Sequence, residues 1–238
     1  MNKLKLKDVT LVCIDDINTK MASEVVEGVS TFIDFTDVKF FSSKDENLVT
    51  NKISPINNLT DYNNFIVKEL HKHIDTEFLL FIQTDGYPLN PDAWLDEYYR
   101  YDYIGAPWTW VPMSHREKLC PVGQCVGNGG FSLRTKKILE ESAKYDYDPE
   151  DKELIPLHSG NGSHVEEDTF MCRVIDKELK SKGITFAPCE LATFFAVENR
   201  IYSAQFGFHG KETININKKL GVFYFNEHAY ENKPDSVD

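Results

Sequence analysis

The sequence predicts an α/β fold, a sheet flanked by helices, and two stretches of chain carry that prediction. The first is a strand–helix–strand run near the start. Val9 to Ile14 is short, apolar and β-rich, and ends at Asp15-Asp16. Thr19 to Ile33 then sets Met21, Ala22, Val25, Val26, Val29, Phe32 and Ile33 on one helical face, and Val38 to Phe41 is apolar again. These three pieces occupy about 33 residues, the size of one βαβ unit. The second is Phe78-Leu-Leu-Phe-Ile82, apolar at every position, as expected of a strand covered on both faces in the middle of a parallel sheet.

The remaining elements follow in chain order. Ser42 to Asn58 is polar and reads as loop. Asp61 to Ile74 spaces Tyr62, Phe65, Ile66, Leu70 and Ile74 for burial on a helix. Asn90-Pro91 has the cap-plus-proline signature of a helix start, leading into Ala93 to Tyr99. Tyr101 to Trp110 is aromatic and broken by Gly and Pro, and Val111 to Gln124 reads as irregular. Gly129 to Arg134 looks like a strand entered through glycines, with Thr135 capping a short helix to Ala143. Tyr145 to Gly162 reads as a loop. Ser163-His-Val-Glu166 has capping-box spacing, and opens a helix with Phe170, Met171, Val174, Ile175 and Leu179 on its apolar side, stopping near Gly183. Ile184 to Ala187 reads as a strand. With no internal repeat and no linker, residues 1–230 are expected to form a single domain and 231–238 a polar tail.

Composition narrows the function classes. Net charge is −12, which speaks against nucleic acid as a partner, because that binding needs a basic surface. It also repels an anionic substrate unless a cation intervenes. No run of about 18 apolar residues predicts a transmembrane segment. Met1 to Lys7 is basic without the apolar stretch of a signal peptide, so a cytoplasmic location is expected. The five cysteines, Cys13, Cys120, Cys125, Cys172 and Cys189, form no CxxC pair and read as free thiols, with a metal or bridging role open for Cys120 and Cys125.

Four features could carry chemistry. Asp85 falls where a buried strand ends, the edge at which open α/β sheets bind ligands, and a carboxylate there suits Mg²⁺ or Mn²⁺. A plain Thr-Asp-Gly turn is its structural alternative. Glu166-Glu167-Asp168 sits in a first helical turn, where acids stabilise helices whatever the function but where an ionised one could also take a proton from a hydroxyl. His209 lies between glycines and aromatics and is either a metal ligand or a structural histidine. Gly127-Asn-Gly-Gly130 allows close approach to a ligand and matches no phosphate-loop pattern. Trp94, Trp108 and Trp110 could stack on sugar faces or pack internally.

Taken in order, Gln83-Thr-Asp-Gly-Tyr-Pro-Leu-Asn90, Tyr101-Asp-Tyr-Ile-Gly-Ala-Pro-Trp108, Val126-Gly-Asn-Gly-Gly-Phe-Ser-Leu-Arg134 and Glu166-Glu-Asp-Thr-Phe170 resemble bacterial and viral glycosyltransferase-like proteins of the GT-A (nucleotide-diphospho-sugar transferase) fold. Phe186 to Ala192 and Phe206 to Gly210 continue the likeness, which spans about Val9 to Gly210. The resemblance implies that Asp85 is the last acid of the metal- and diphosphate-binding DxD motif, with Gln83 in place of its first acid. It implies that Asp168, with Glu167 as second candidate, is the catalytic base, and that His209 completes a metal site with Asp85. It further implies a substrate-binding surface of Asp15, Gln83, Asp85, Trp108, Gly129, Gly130 and Phe131. The implied reaction is an inverting transfer, assisted by Mn²⁺ or Mg²⁺, from a nucleotide-diphosphate sugar donor to a glycan or other hydroxyl acceptor. The Gly- and Ser-rich His158 to His164 loop is expected to close over the acceptor. A retaining transferase, a nucleotidyltransferase on the same fold and a non-catalytic glycan- or nucleotide-binding module are the alternatives.

Overall fold

The computed structural model describes residues 3–45, 48–108, 126–155 and 164–221. Its main sheet has six strands in the order β3-β2-β1-β4-β7-β6. Here β1 is Leu4–Ile14, β2 Ile33–Ser42, β3 Asn51–Lys52, β4 Phe78–Ile82, β6 Tyr103–Gly105 and β7 Ser132–Thr135. β1 is parallel to both β2 and β4, whereas β7 runs antiparallel to β4 and to β6. The sheet is therefore mixed and the fold is α/β, the class the sequence implied. One refinement is needed at β4, which is flanked by one parallel and one antiparallel neighbour instead of lying within a wholly parallel sheet.

Strand alternation explains the unbroken apolar text of Phe78–Ile82. Phe78, Leu80 and Ile82 enter one core layer with Val9, Leu11 and Cys13 of β1 and with Ala22, Val25, Val26 and Val29 of α1 (Thr19–Phe32). Leu79 and Phe81 enter the opposite layer with Val12, Ile14, Ile66, Leu70, Phe170 and Leu179. Each face of the strand meets a different set of helices, so no position can be polar. Truncating Leu80, which is fully buried, to Ala costs about 2–5 kcal/mol.

Helical stretches depart from the regular α form. The segment read as one helix over Asp61 to Ile74 is α2 (Leu59–Asn64), a π-helical turn (Phe65–Glu69) and a 3₁₀ turn (Leu70–His73). Asn58 caps it by accepting from the Asp61 amide at 2.8 Å. The stretch after Asn90 consists of two 3₁₀ turns, Pro91–Ala93 and Asp96–Arg100, and Asn90 does not cap but donates to the Ala204 carbonyl. Thr135 does cap α3 (Lys136–Ser142), through the Ile138 amide. The helix expected from a Ser163 capping box begins instead at α4 (Glu167–Thr169), with Glu166 as N-cap and no side-chain capping bond. It continues as a π-helical turn (Phe170–Val174) into α5 (Asp176–Ser181). Ile184 to Ala187 is not a strand, contributing a single bridge between Phe186 and Tyr103.

A second, three-stranded sheet was not legible in advance. It consists of β5 (Gly86–Pro88), β9 (Gly207–His209) and β8 (Ala196–Glu198), in the order β5-β9-β8. α6 (Cys189–Phe195) leads into β8, and α7 (Lys211–Lys219) follows β9. Cys13 and Cys172 are buried thiols outside any disulfide, but Cys189 is disulfide-bonded. This corrects the expectation of free thiols, since pairing depends on proximity in space and not on sequence spacing, and it removes one support for a cytoplasmic location. Cys120, Cys125, Trp110, most of the His158 to His164 loop and the polar tail lie outside the described residues. Among the described residues, no helix is long and apolar enough to cross a membrane.

Candidate active site

The small sheet gathers the candidate residues at the end of β4. Gln83 and Gly86 exchange backbone hydrogen bonds of 2.9 and 3.1 Å, so the chain doubles back with Asp85 at the bend. β5 then pairs antiparallel with β9 so that Gly86 faces His209, and β9 pairs parallel with β8 so that His209 faces Glu198. Gly86, His209 and Glu198 form one row across three strands. The Gly210 amide adds a bond to the Asp85 carbonyl at 2.8 Å.

That row fixes the surroundings of the His209 imidazole. Its Nε2 lies 3.2 Å from Gln83 Oε1 and 3.8 Å from Asp85 Oδ1. Its Nδ1 lies 3.1 Å from Glu198 Oε1, which also accepts from Asn128 Nδ2 at 2.7 Å. Gln83 is held from the other side, donating its Nε2 to Tyr62 Oη at 2.6 Å. Burial alone would lower the pKa of His209, but Glu198 and Asp85 outweigh it and raise the value above that of a free histidine.

Glycines make the close packing possible. A Cβ on Gly86 would sit 2.6 Å from His209 Cδ2, and one on Gly130 would collide with His209 Nε2. A Cβ on Gly129 would collide with Glu167 Oε1 and lie 2.9 Å from Asp168 Cβ. One glycine thus abuts the imidazole and the preceding one abuts the acidic turn. Successive Cα atoms are about 3.8 Å apart, so the two halves of the site adjoin along this loop.

The three acids of the acidic turn have different partners. Glu167 is buried and forms a two-point pair with Arg134, whose Nη1 and Nη2 donate at 2.7 and 2.9 Å. Arg134 is fully buried, donates also to Ser132 Oγ and the Gly129 carbonyl, and lies over the rings of Phe81 and Tyr103. Glu167 is thereby committed to Arg134, which corrects its candidacy as a base. Asp168 is half-buried and accepts from the Gly129 amide at 2.8 Å. Burial, then the charges of Glu167 and Glu166, push its pKa up to about 8, against the pull of Arg134 and the Gly129 N–H. Glu166 is raised too, mainly by burial.

Other predicted residues are placed as follows. Asp15 Oδ1 accepts from the Ile17 amide at 2.8 Å and from the Asn18 amide at 2.5 Å, shaping the turn after β1. Trp108 is half-buried, with Arg173 4.3 Å from its ring centroid, and its indole fills the space beside Gly127. Phe131 is fully buried and stacked on Phe195 at 4.9 Å, so it is a core residue and its assignment to the substrate surface is corrected. Trp94 packs against Tyr98, Tyr99 and Phe206. A cavity of about 450 Å³ lined by Ala93, Leu95, Phe194 and Gln205, among others, contains none of the site residues.

Tyr62, Asn128, Arg134 and Glu198 belong to the site and were missed. Arg134 had a usable signal, a basic residue at the end of an apolar strand that must find a buried acid. Glu198 had none, because its place depends on a strand pairing that no local pattern announces.

Among the described residues, no group of three or more His, Cys, Asp and Glu side chains is arranged to hold a metal. The donors that do converge are His209 Nε2, Asp85 Oδ1 and the amide oxygen of Gln83. With the ring neutral and its proton on Nδ1, these are three acceptor atoms turned toward one point, which a cation would satisfy; with Nε2 protonated, the ring itself donates to Gln83 Oε1. An imidazole, a carboxylate and a neutral oxygen suit Mn²⁺ or Mg²⁺, with other positions left to phosphate oxygens and water. Asn128 Oδ1, buried beside Glu198 without a partner, marks the region as incompletely satisfied. The residues fit such an ion.

Fold and site together define an α/β protein with a carboxylate–imidazole cluster beside the carboxyl end of a central strand. The chain belongs to the family described as "Protein of unknown function (DUF5672)", whose profile matches residues 46–209. No curated protein matches it. Among solved structures it is similar to a glycosyltransferase involved in the glycosylation of the major capsid of PBCV-1. That match has 12% identity and a TM-score of 0.46, and covers 90% of this chain and 98% of the other. It is also similar to A197 from STIV at 13% identity and a TM-score of 0.32, covering 72% and 78% respectively.

Proposed function

We propose that the protein is a glycosyltransferase that moves a sugar from a nucleotide-diphosphate donor to a hydroxyl acceptor with inversion. One observation carries the reading: Asp85 and His209 lie side by side, and the glycine pair that abuts His209 also anchors Asp168. A divalent cation held by Asp85 and His209, with Gln83 Oε1 facing the same point, would supply positive charge against the donor diphosphate. This chain, at net charge −12, otherwise repels such a group.

Asp168 takes the proton of the acceptor hydroxyl as that oxygen bonds to the anomeric carbon and the bond from that carbon to the diphosphate oxygen breaks. A base performs this best when its pKa lies near the working pH, and the carboxyl at Asp168 titrates near there. The Gly129 N–H holds one carboxylate oxygen and fixes the direction of the group. Arg134 keeps the neighbouring Glu167 charge neutralised, so that Asp168 can ionise at all.

A thermal-shift screen of nucleoside diphosphates and their sugars, each with and without Mn²⁺, tests donor binding. A metal-dependent rise for one nucleotide is expected, because a ligand that binds only the folded state stabilises it. Asp168→Asn should keep that rise and lose transfer. Undiminished transfer by Asp168→Asn refutes the assignment of the base.

A further inference from the structure

The side of the imidazole turned away from Asp85 carries a second piece of chemistry. Glu198 Oε1 lies 3.1 Å from His209 Nδ1 and is itself held by Asn128 Nδ2 at 2.7 Å. The Glu198 and His209 side chains are both 17% exposed, so little water competes for this contact. Asn128 Nδ2 also lies 2.9 Å from Nδ1. An amide nitrogen only donates, so it can bond Nδ1 only when that nitrogen is unprotonated, whereas the Glu198 carboxylate accepts a ring N–H in a stronger, charge-assisted bond. A neutral ring held this way keeps its proton on Nδ1, leaving a lone pair on Nε2. That lone pair faces Gln83 Oε1 and Asp85 Oδ1.

We propose that Glu198 is the positioning residue of this site: it fixes the ring orientation and Nδ1–H tautomer of His209, so that Nε2 is presented as a ligand for a divalent cation. The proposal rests on the metal-assisted reading above and adds the group that makes the histidine competent. Carboxylate partners of this kind raise the basicity of the ligating nitrogen and hold the ring in place. β8 delivers this contact: it is three residues long, and its last residue, Glu198, lies opposite His209 in the strand register.

Two measurements on the intact chain test it. The first is the His209 tautomer, read from imidazole ¹⁵N and ¹³C shifts at alkaline pH, where the ring is neutral, with His209→Asn assigning the signal. The wild type should show Nδ1–H, and Glu198→Gln, which removes the charge at constant shape, should shift the population toward Nε2–H. The second is Mn²⁺ affinity, with Mn²⁺ alone as the probe, read by the loss of the free-ion EPR signal. Glu198→Gln should weaken it by about 10–100-fold. Glu198→Leu serves as the second variant and should give the same tautomer shift.

An unchanged tautomer in folded Glu198→Gln and Glu198→Leu overturns the proposal, as does Mn²⁺ affinity within twofold of wild type. Absence of Mn²⁺ binding by the wild type sinks the metal-assisted reading and the ligand role together. In that event the tautomer measurement still decides whether Glu198 orients the ring.

Discussion

Arg134→Met removes the cation from a pair whose side chains are 0% and 6% exposed, leaving the Glu167 carboxylate in the interior without its counter-charge. Breaking a buried pair from one side costs about 3–5 kcal/mol, because the remaining ion keeps its desolvation penalty. The bond to Ser132 Oγ is lost as well, worth about 1 kcal/mol, while the Gly129 carbonyl keeps Ser132 Oγ as a donor at 3.0 Å. For a chain of this size each kcal/mol moves the melting midpoint by about 2–4 °C, so the single variant, losing about 4–6 kcal/mol in all, should melt roughly 8–24 °C lower. Differential scanning calorimetry with matched urea titrations reads the change. The double variant Arg134→Met/Glu167→Met removes both charges and should recover most of the loss, since an apolar pair of similar volume has no ion to strand. A single variant within about 3 °C of wild type, or a double variant less stable than the single, would refute the claim that the two groups are held as one buried ion pair.

Because Asp168 keeps its proton in the fold up to about pH 8 but loses it near 4 when unfolded, the native state binds more protons between those values. Its contribution to stability is therefore greatest below about pH 4 and falls as pH rises towards 8, by at most about 1.4 kcal/mol per pH unit. Urea midpoints at pH 5 and pH 8 should converge in Asp168→Asn, and an unchanged pH slope in that variant would count against the raised value. Transfer activity, by the same titration, should climb with pH towards 8. Gly130→Ala forces a methyl against His209 Nε2 and Gln83 Oε1, and should abolish Mn²⁺-dependent thermal stabilisation. Gly28→Ala, in α1 with nothing within 4 Å of the added carbon, should instead stabilise by about 0.5–1 kcal/mol. Alkylation of the unfolded, unreduced chain followed by mass spectrometry should label Cys13 and Cys172 and spare Cys189.

The main sheet was readable because its signals are local. Val9 to Ile14, Thr19 to Ile33 and Phe78 to Ile82 each state their period or their lack of one within a few residues, and the elements form where those patterns place them. Thr135 was readable as a cap for the same reason. The small sheet was not, since β5, β8 and β9 have three residues each, too few for any alternation to register. Asp85, His209 and Asp168 stood out as residue types able to do chemistry in an order that resembled a family. Their partners Glu198, Asn128 and Tyr62 carry no such mark, and their roles come from pairings between distant segments. Glu167 and Phe131 show the converse error: each has a chemistry-bearing neighbour in sequence, but the fold turns one to Arg134 and the other into the core.

Gln83 and His209, in hydrogen-bond contact, are separated by 126 residues. During synthesis the ribosome must deliver nearly every described segment before the second partner emerges. A nascent chain arrested before β9 can hold its first βαβ unit, yet it has no imidazole to set beside Asp85. If the proposed metal site forms, ion capture would report that the last small strand has docked, and a metal-sensitive fluorophore would serve as a clock for the final stage of maturation.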